Sequence, residues 1–178
     1  MKTIPVYTTV NLLSDLLVFL RPKWQVPVYT LYTFFEVIYF SWFLSRIITN
    51  KPIRLSILLF DIIFFLMMLL AGLDINPGFY RWLIVIEGAM MSVVSAVYLI
   101  EMTVSLRIIK LFENAAFWMA IGILFYFFCL IAINWVYNHY WDEHQFQTAN
   151  LVYSFNNYAL IFSSVCFIKA ILCRNNFQ

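Results

Sequence analysis

The sequence predicts an all-α polytopic transmembrane helix bundle, five long spans plus a short N-terminal helix, in one integral membrane domain over residues 1–178. Three observations carry this expectation. Hydrophobic residues make up 64% of the chain and charged residues 11%, where a soluble domain carries roughly 25% charged. Mean hydropathy is +0.86, so polar side chains are too few to cover a globule and lipid must solvate most of the surface. Finally, the apolar runs are parted by short stop signals: "TNKP" at 49–52, "DINPG" at 74–78, "KLFEN" at 110–114 and "NHYWDEHQ" at 138–145. Proline and glycine break the second, and charged or amide residues end the others.

The spans follow at about 26–48, 53–73, 79–106, 115–138 and 149–173, each near or above the ~20 residues needed to cross a hydrocarbon core. Residues 5–20 are harder to place. Pro5 suits a helix start, but ~15 residues before Arg21 cover roughly 22 Å of a ~30 Å core. A tilted span, an interfacial helix and the remnant of a longer helix all stay open. If this segment spans, Lys2, Arg46, Lys51, Arg54, Arg107, Lys110, Lys169 and Arg174 share one side and Arg21, Lys23 and Arg81 the other. The positive-inside rule then puts both termini in the cytoplasm, in a multi-pass protein of the cytoplasmic (inner) membrane.

Composition also excludes function classes. The net charge of +2, with no basic run, argues against nucleic acid. Cys129, Cys166 and Cys173 lie in or at the end of apolar runs, as packing residues rather than a disulfide framework. The N-terminal apolar stretch carries Asn11 and Asp15 and lacks a small-residue cleavage site, so it is not a signal peptide. No span holds a histidine, and no G-x-S-x-G, P-loop or dinucleotide fingerprint is present. No catalytic residue, cofactor or metal is expected. His139 and His144 flank "YWDE" in an outer loop, at a spacing that fits no helical metal pair and reads as solvated.

Carboxylates inside apolar runs are the informative residues. Glu36 and Asp61 fall near the centres of their spans; Asp15, Glu87 and Glu101 lie in others. An acid facing mid-bilayer lipid costs about 3 kcal/mol, so two or three would consume much of a stability of roughly 5–15 kcal/mol. They must face inward, carry a proton, or be paired. Helical spacing of 100° per residue puts Tyr29, Tyr32, Thr33 and Tyr39 on the face of Glu36. It likewise aligns Tyr80, Glu87, Tyr98 and Glu101; Asn150, Tyr153, Asn157 and Ser164; and Thr8, Asn11 and Asp15. Arg54 and Asp61 share a face but stand about 10 Å apart along the axis. The polar-pocket candidates are therefore Glu36, Asp61, Glu87, Glu101, Asn157, Tyr32, Tyr98 and Asp15. Interhelical hydrogen-bond glue and a ligand-binding cavity are even readings of these stripes.

The strings "NLLSDLLVFL" at 11–20, "LYTFFEVIYFSWF" at 31–43, "IEGAMMSVVSAVYLIE" at 86–101, "FWMAIGILFYF" at 117–127 and "NNYALIF" at 156–162 resemble a family of small, uncharacterised integral membrane proteins common in Bacteroidota. The resemblance implies a seven-helix architecture with the N-terminus outside and the C-terminus inside. Against that pattern the first helix is missing and residues 5–20 match the later part of the second. The family is similar in shape to the seven-helix sensor regions of bacterial signalling proteins, and some members are encoded near histidine kinases. The expected role is a non-enzymatic sensory or accessory signalling component. Its partners would be the lipid bilayer and a membrane or cytoplasmic signalling protein, in an oligomeric state left open. The alternatives are a proton- or cation-coupled small transporter and, behind it, a membrane-embedded lipid-modifying enzyme.

Overall fold

Helices begin where each apolar run follows a stop signal. The computed structural model describes residues 4–21, 25–74, 77–104 and 111–173, and within them the side chains other than those of 4–6, 8, 15, 25–27, 29–30, 71–74, 77–81 and 111. The elements are α1 (Ile4–Leu20), α2 (Gln25–Ile47), α3 (Lys51–Asp74), α4 (Pro77–Val104), a 3₁₀ turn (Leu111–Glu113), α5 (Ala115–Asp142), α6 (Phe146–Ser154) and α7 (Asn156–Leu172), with no strand among the described residues. The chain is a helical bundle.

Among the described residues four segments are long and apolar enough to cross a membrane: Lys51–Leu70, Trp82–Val104, Ala115–Asp142 and Phe146–Leu172. At 23 residues α2 has the length but stands outside this set, its apolar residues diluted by Glu36, Ser41, Ser45, Arg46 and several tyrosines and threonines. With 17 residues, α1 covers about 26 Å.

Packing centres on α5, which lies against α4 on one side and α6–α7 on the other. Small residues set both distances. A Cβ built on Gly88 of α4 would meet Ile131 Cγ1 at 2.9 Å and the Phe127 carbonyl oxygen at 3.1 Å. One built on Gly122 of α5 would meet Phe167 Cε1 at 2.8 Å and Cys166 Cβ at 3.0 Å. Such close approach is how helices associate where lipid supplies no hydrophobic drive between them. Phe40, Phe127, Met91, Met119 and Ile123 fill the centre. On the outside, α2 packs on α3 and α4, and α1 packs on α2. Leu55, Leu58, Leu59, Ile62, Ile63 and Leu66 of α3 are exposed, a face suited to lipid.

Two expectations are corrected here. The stretch expected as loop, 138–145, is helical as far as Asp142, where α5 ends, and only 143–145 form a turn. Asn138 is buried, and Tyr137 packs on Trp141 and Tyr153, with ring centroids 5.5 Å apart in each case, so these residues extend the helix. His139 therefore lies in its last turn. The real stop is a Schellman motif. The His144 N–H donates to the Trp141 carbonyl at 3.1 Å and the Gln145 N–H to the Tyr140 carbonyl at 2.9 Å. His144 takes the left-handed conformation, φ 62°, that such a motif requires and that glycine usually fills.

The second correction concerns 149–173. Helix starts earlier, at Phe146, and is interrupted at Phe155 between α6 and α7. Asn150, Tyr153, Asn157 and Ser164 face outward, while Ala149, Asn156, Ala159, Ser163, Cys166, Phe167 and Ala170 are buried against the bundle. Small side chains, which let α7 approach α5 closely, decided the inner face; polar ones did not.

Candidate functional site

Glu36 sits midway along α2 and is 4% exposed. The hydroxyl of Tyr7, from α1, donates to Glu36 Oε1 at 2.5 Å, and the hydroxyl of Tyr32, one turn earlier on α2, donates to the same oxygen at 3.2 Å. The two phenol oxygens are 2.8 Å apart. Three oxygen–oxygen contacts thus share two phenol hydrogens, and each hydroxyl can turn between the carboxylate and the other phenol. Tyr7 is held from its other sides by rings: Tyr39 at 5.3 Å, Phe40 at 4.9 Å and Phe167, edge-on, at 6.2 Å.

Glu87, on α4, is 1% exposed, and its Oε1 has no hydrogen-bond partner among the described residues. It lies within electrostatic range of Glu36, and Tyr126 of α5 lies within range of both. The depth match follows from a tie at the far end of the two helices. There the Thr49 backbone N–H donates to Glu101 Oε1 at 3.2 Å and the Thr49 hydroxyl donates to the same oxygen. Glu36 precedes Thr49 by thirteen residues and Glu87 precedes Glu101 by fourteen, so both acids lie about 20 Å from that tie. Parallel α2 and α4 carry the pair at one level. Like charges within range of each other repel strongly in a low-dielectric interior.

The remaining candidates do not join this centre. Asp61, half-buried on α3, accepts a hydrogen bond from the Ser41 hydroxyl at 2.7 Å. Ser41 lies five residues beyond Glu36, about 140° around α2, so Asp61 belongs to a separate α2–α3 contact; its partner is this serine rather than Arg54. Glu101 clasps the α2–α3 linker, its Oε2 buried without a partner among the described residues, and buried Tyr98 precedes it by three residues. Asn157 points outward; its neighbour Asn156 is the buried one, with Oδ1 unpartnered among the described residues. The side chain of Asp15 lies outside the described residues, as do those of Thr8, Tyr29 and Tyr80.

Tyr7 and Tyr126 were missed from sequence. Tyr7 precedes Asn11 by one turn, and extending that polar stripe backwards would have found it; Tyr126 sits in an aromatic run with no such signal. A cavity of about 230 Å³ adjoins the centre on the α1 side. Tyr7 and Phe167 line it together with Asn11 and Leu12 of α1, Tyr126 of α5, and Leu160, Ser163 and Ser164 of α7. Leu12 and Ser164 are exposed, so it opens sideways. No three His, Cys, Asp or Glu side chains among the described residues gather as metal ligands.

No family model, curated protein or solved structure matches the chain.

Proposed function

We propose that this is a non-enzymatic sensory or accessory component of a bacterial inner membrane. In this reading α2 spans alongside the four more apolar segments, the C-terminus is cytoplasmic, and a signalling protein reads the bundle's packing. One observation carries it: Glu87 Oε1, buried and unpartnered among the described residues, faces the level of Glu36. An unmet buried acceptor costs about 1–3 kcal/mol, and at Glu87 that cost falls within electrostatic range of a second buried acid. An unfinished acidic pair is a place where binding changes helix packing, and a ligand shifts that equilibrium by its differential affinity for the two packings. The strings at 11–20, 31–43, 86–101, 117–127 and 156–162, through the resemblance to a family similar in shape to seven-helix sensor regions, support the same reading by analogy.

The test is substitution at Glu36, followed by recovery of partners from native membranes. Glu36→Gln should leave the amount of membrane-inserted protein unchanged while altering which proteins copurify, or the cell's response. A stable Glu36→Leu protein with unaltered partners and phenotype sinks the reading. The matched depth of the two acids supports a second reading, a proton- or cation-coupled transporter. It requires flux in reconstituted vesicles that changes between about pH 5 and about pH 8; flat flux there counts against it.

A further inference from the structure

The lateral cavity between α1 and α7 has walls that specify a kind of occupant. Ser163 is 3% exposed and Tyr126 7% exposed. Both line the cavity, and neither hydroxyl has a hydrogen-bond partner among the described residues. A hydroxyl can donate or accept, so the two offer hydrogen bonds to an occupant that carries oxygen. Among the described residues no charged side chain lines the space, which suits an uncharged group. Tyr7, Tyr126 and Phe167 supply aromatic surface, which suits a flat ring.

Position narrows the class further. The floor is Tyr7, whose hydroxyl binds Glu36 on the far side, and Glu36 lies about 20 Å from the Thr49–Glu101 end. In a core about 30 Å thick, that is deep in the hydrocarbon, where a phospholipid phosphate does not reach. An acyl chain would reach but would leave the hydroxyls unmet. Water would meet them, but the mouth, between Leu12 and Ser164, is on the flank of the bundle where lipid lies. At about 230 Å³ the space is below the roughly 300–1,000 Å³ of pockets that enclose whole drug-sized molecules. It fits a headgroup whose tail stays in the bilayer.

We propose that this cavity binds the carbonyl-bearing ring of a membrane-dissolved lipid quinone, entering sideways between α1 and α7 with its tail left among the lipids. One carbonyl accepts from Tyr126 or Ser163, and the ring rests on Tyr7. This names the ligand for the sensory reading and rests on it for its consequence: a ring seated on Tyr7 bears on the same hydroxyl that holds Glu36.

The experiment uses the full chain in lipid nanodiscs with a short-tailed benzoquinone carrying a photoreactive azide, and mass spectrometry to map the label. Label should concentrate on α1 and α7 around Leu12 and Ser164 and fall when unlabelled decyl-benzoquinone is added. Tyr126→Phe should weaken binding by roughly 2- to 12-fold, the range one net hydrogen bond is worth. Ser164→Trp, at the exposed rim where folding is least at stake, should block labelling. Label spread over the exposed face of α3, label that decyl-benzoquinone does not compete away, or label indifferent to Ser164→Trp overturns the proposal. If Glu36→Gln changes the cellular response yet no quinone binds, the ligand assignment fails alone. If quinone binds as described and Glu36 variants are silent, the sensory reading fails alone.

Discussion

The α5–α7 interface and the α1 side of the bundle both end on Phe167, and they are built in opposite ways. Between α5 and α7, Gly122, Ala159, Ser163 and Ala170 bring the helices close enough that one added methyl group at Gly122 finds no room. On the other side, α1 is held through ring edges and the hydroxyl of Tyr7, with a cavity beside it. The first contact is fixed by shape; the second by hydrogen bonds worth about 0.6–2 kcal/mol each in membranes. A bundle with one interlocked half and one hydrogen-bonded half can change its polar core without losing its fold, because the reversible contacts lie where the acids are.

The largest test of this contrast is Gly122→Leu. The Cβ alone would lie 2.8 Å from the Phe167 ring, and overpacking of a tight core costs about 1–3 kcal/mol or more. Most of the protein should fail to reach a monodisperse folded form in detergent, and Gly122→Ala should lower the melting temperature measurably. An unchanged melting temperature for Gly122→Ala would erase the distinction between the halves. Next comes Tyr7→Phe, expected to cost about 1–2 kcal/mol in thermal unfolding, with a less than additive effect when combined with Tyr32→Phe because both donate to one oxygen. Full additivity would mean that the two phenols do not act as a unit. Asn114→Ala should cost about 1 kcal/mol: its Oδ1 caps α5 by accepting from the Ala116 N–H at 2.8 Å and the Phe117 N–H at 3.4 Å. That loss should appear in unfolding and leave the cavity's ligand access alone. The smallest effect is a gain. His144→Gly removes the cost of a left-handed non-glycine residue and should stabilise the hairpin turn by up to about 1 kcal/mol, read as a small rise in melting temperature.

Much of the bundle was legible because apolar runs and stop signals are strong at membrane scale: the starts of α2, α3 and α5 fall within about two residues of expectation. The acids at 36 and 87 were legible for the same reason, since a carboxylate stands out against leucine and phenylalanine. What failed was the inner face of the last helix. In a lipid-facing helix both faces are apolar, so Asn157 and its stripe did not mark the inside; the alternative, Ala159, Ser163, Cys166 and Ala170, is marked only by size. The turn after α5 failed differently. Asparagines, histidines and acids looked like loop material, but the tilted ring contacts of Tyr137 with Trp141 and Tyr153 accompany a helix that runs on through them. The partners of Glu36 on α1, and of Asp61 on α2, come from other helices, which no periodicity within one segment can reveal.

The Thr49–Glu101 tie has a mechanical consequence. It pins α2 and α4 together at one end, while further along the two helices Glu36 and Glu87 lie within electrostatic range of each other, like the arms of a yoke. Adding charge between the arms drives them apart, and removing it lets them close, but the pinned end holds its position. An event at the acids is therefore expected to emerge as a change of angle rather than of separation, and α1, which packs on α2, would swing with that arm and resize the opening beside it.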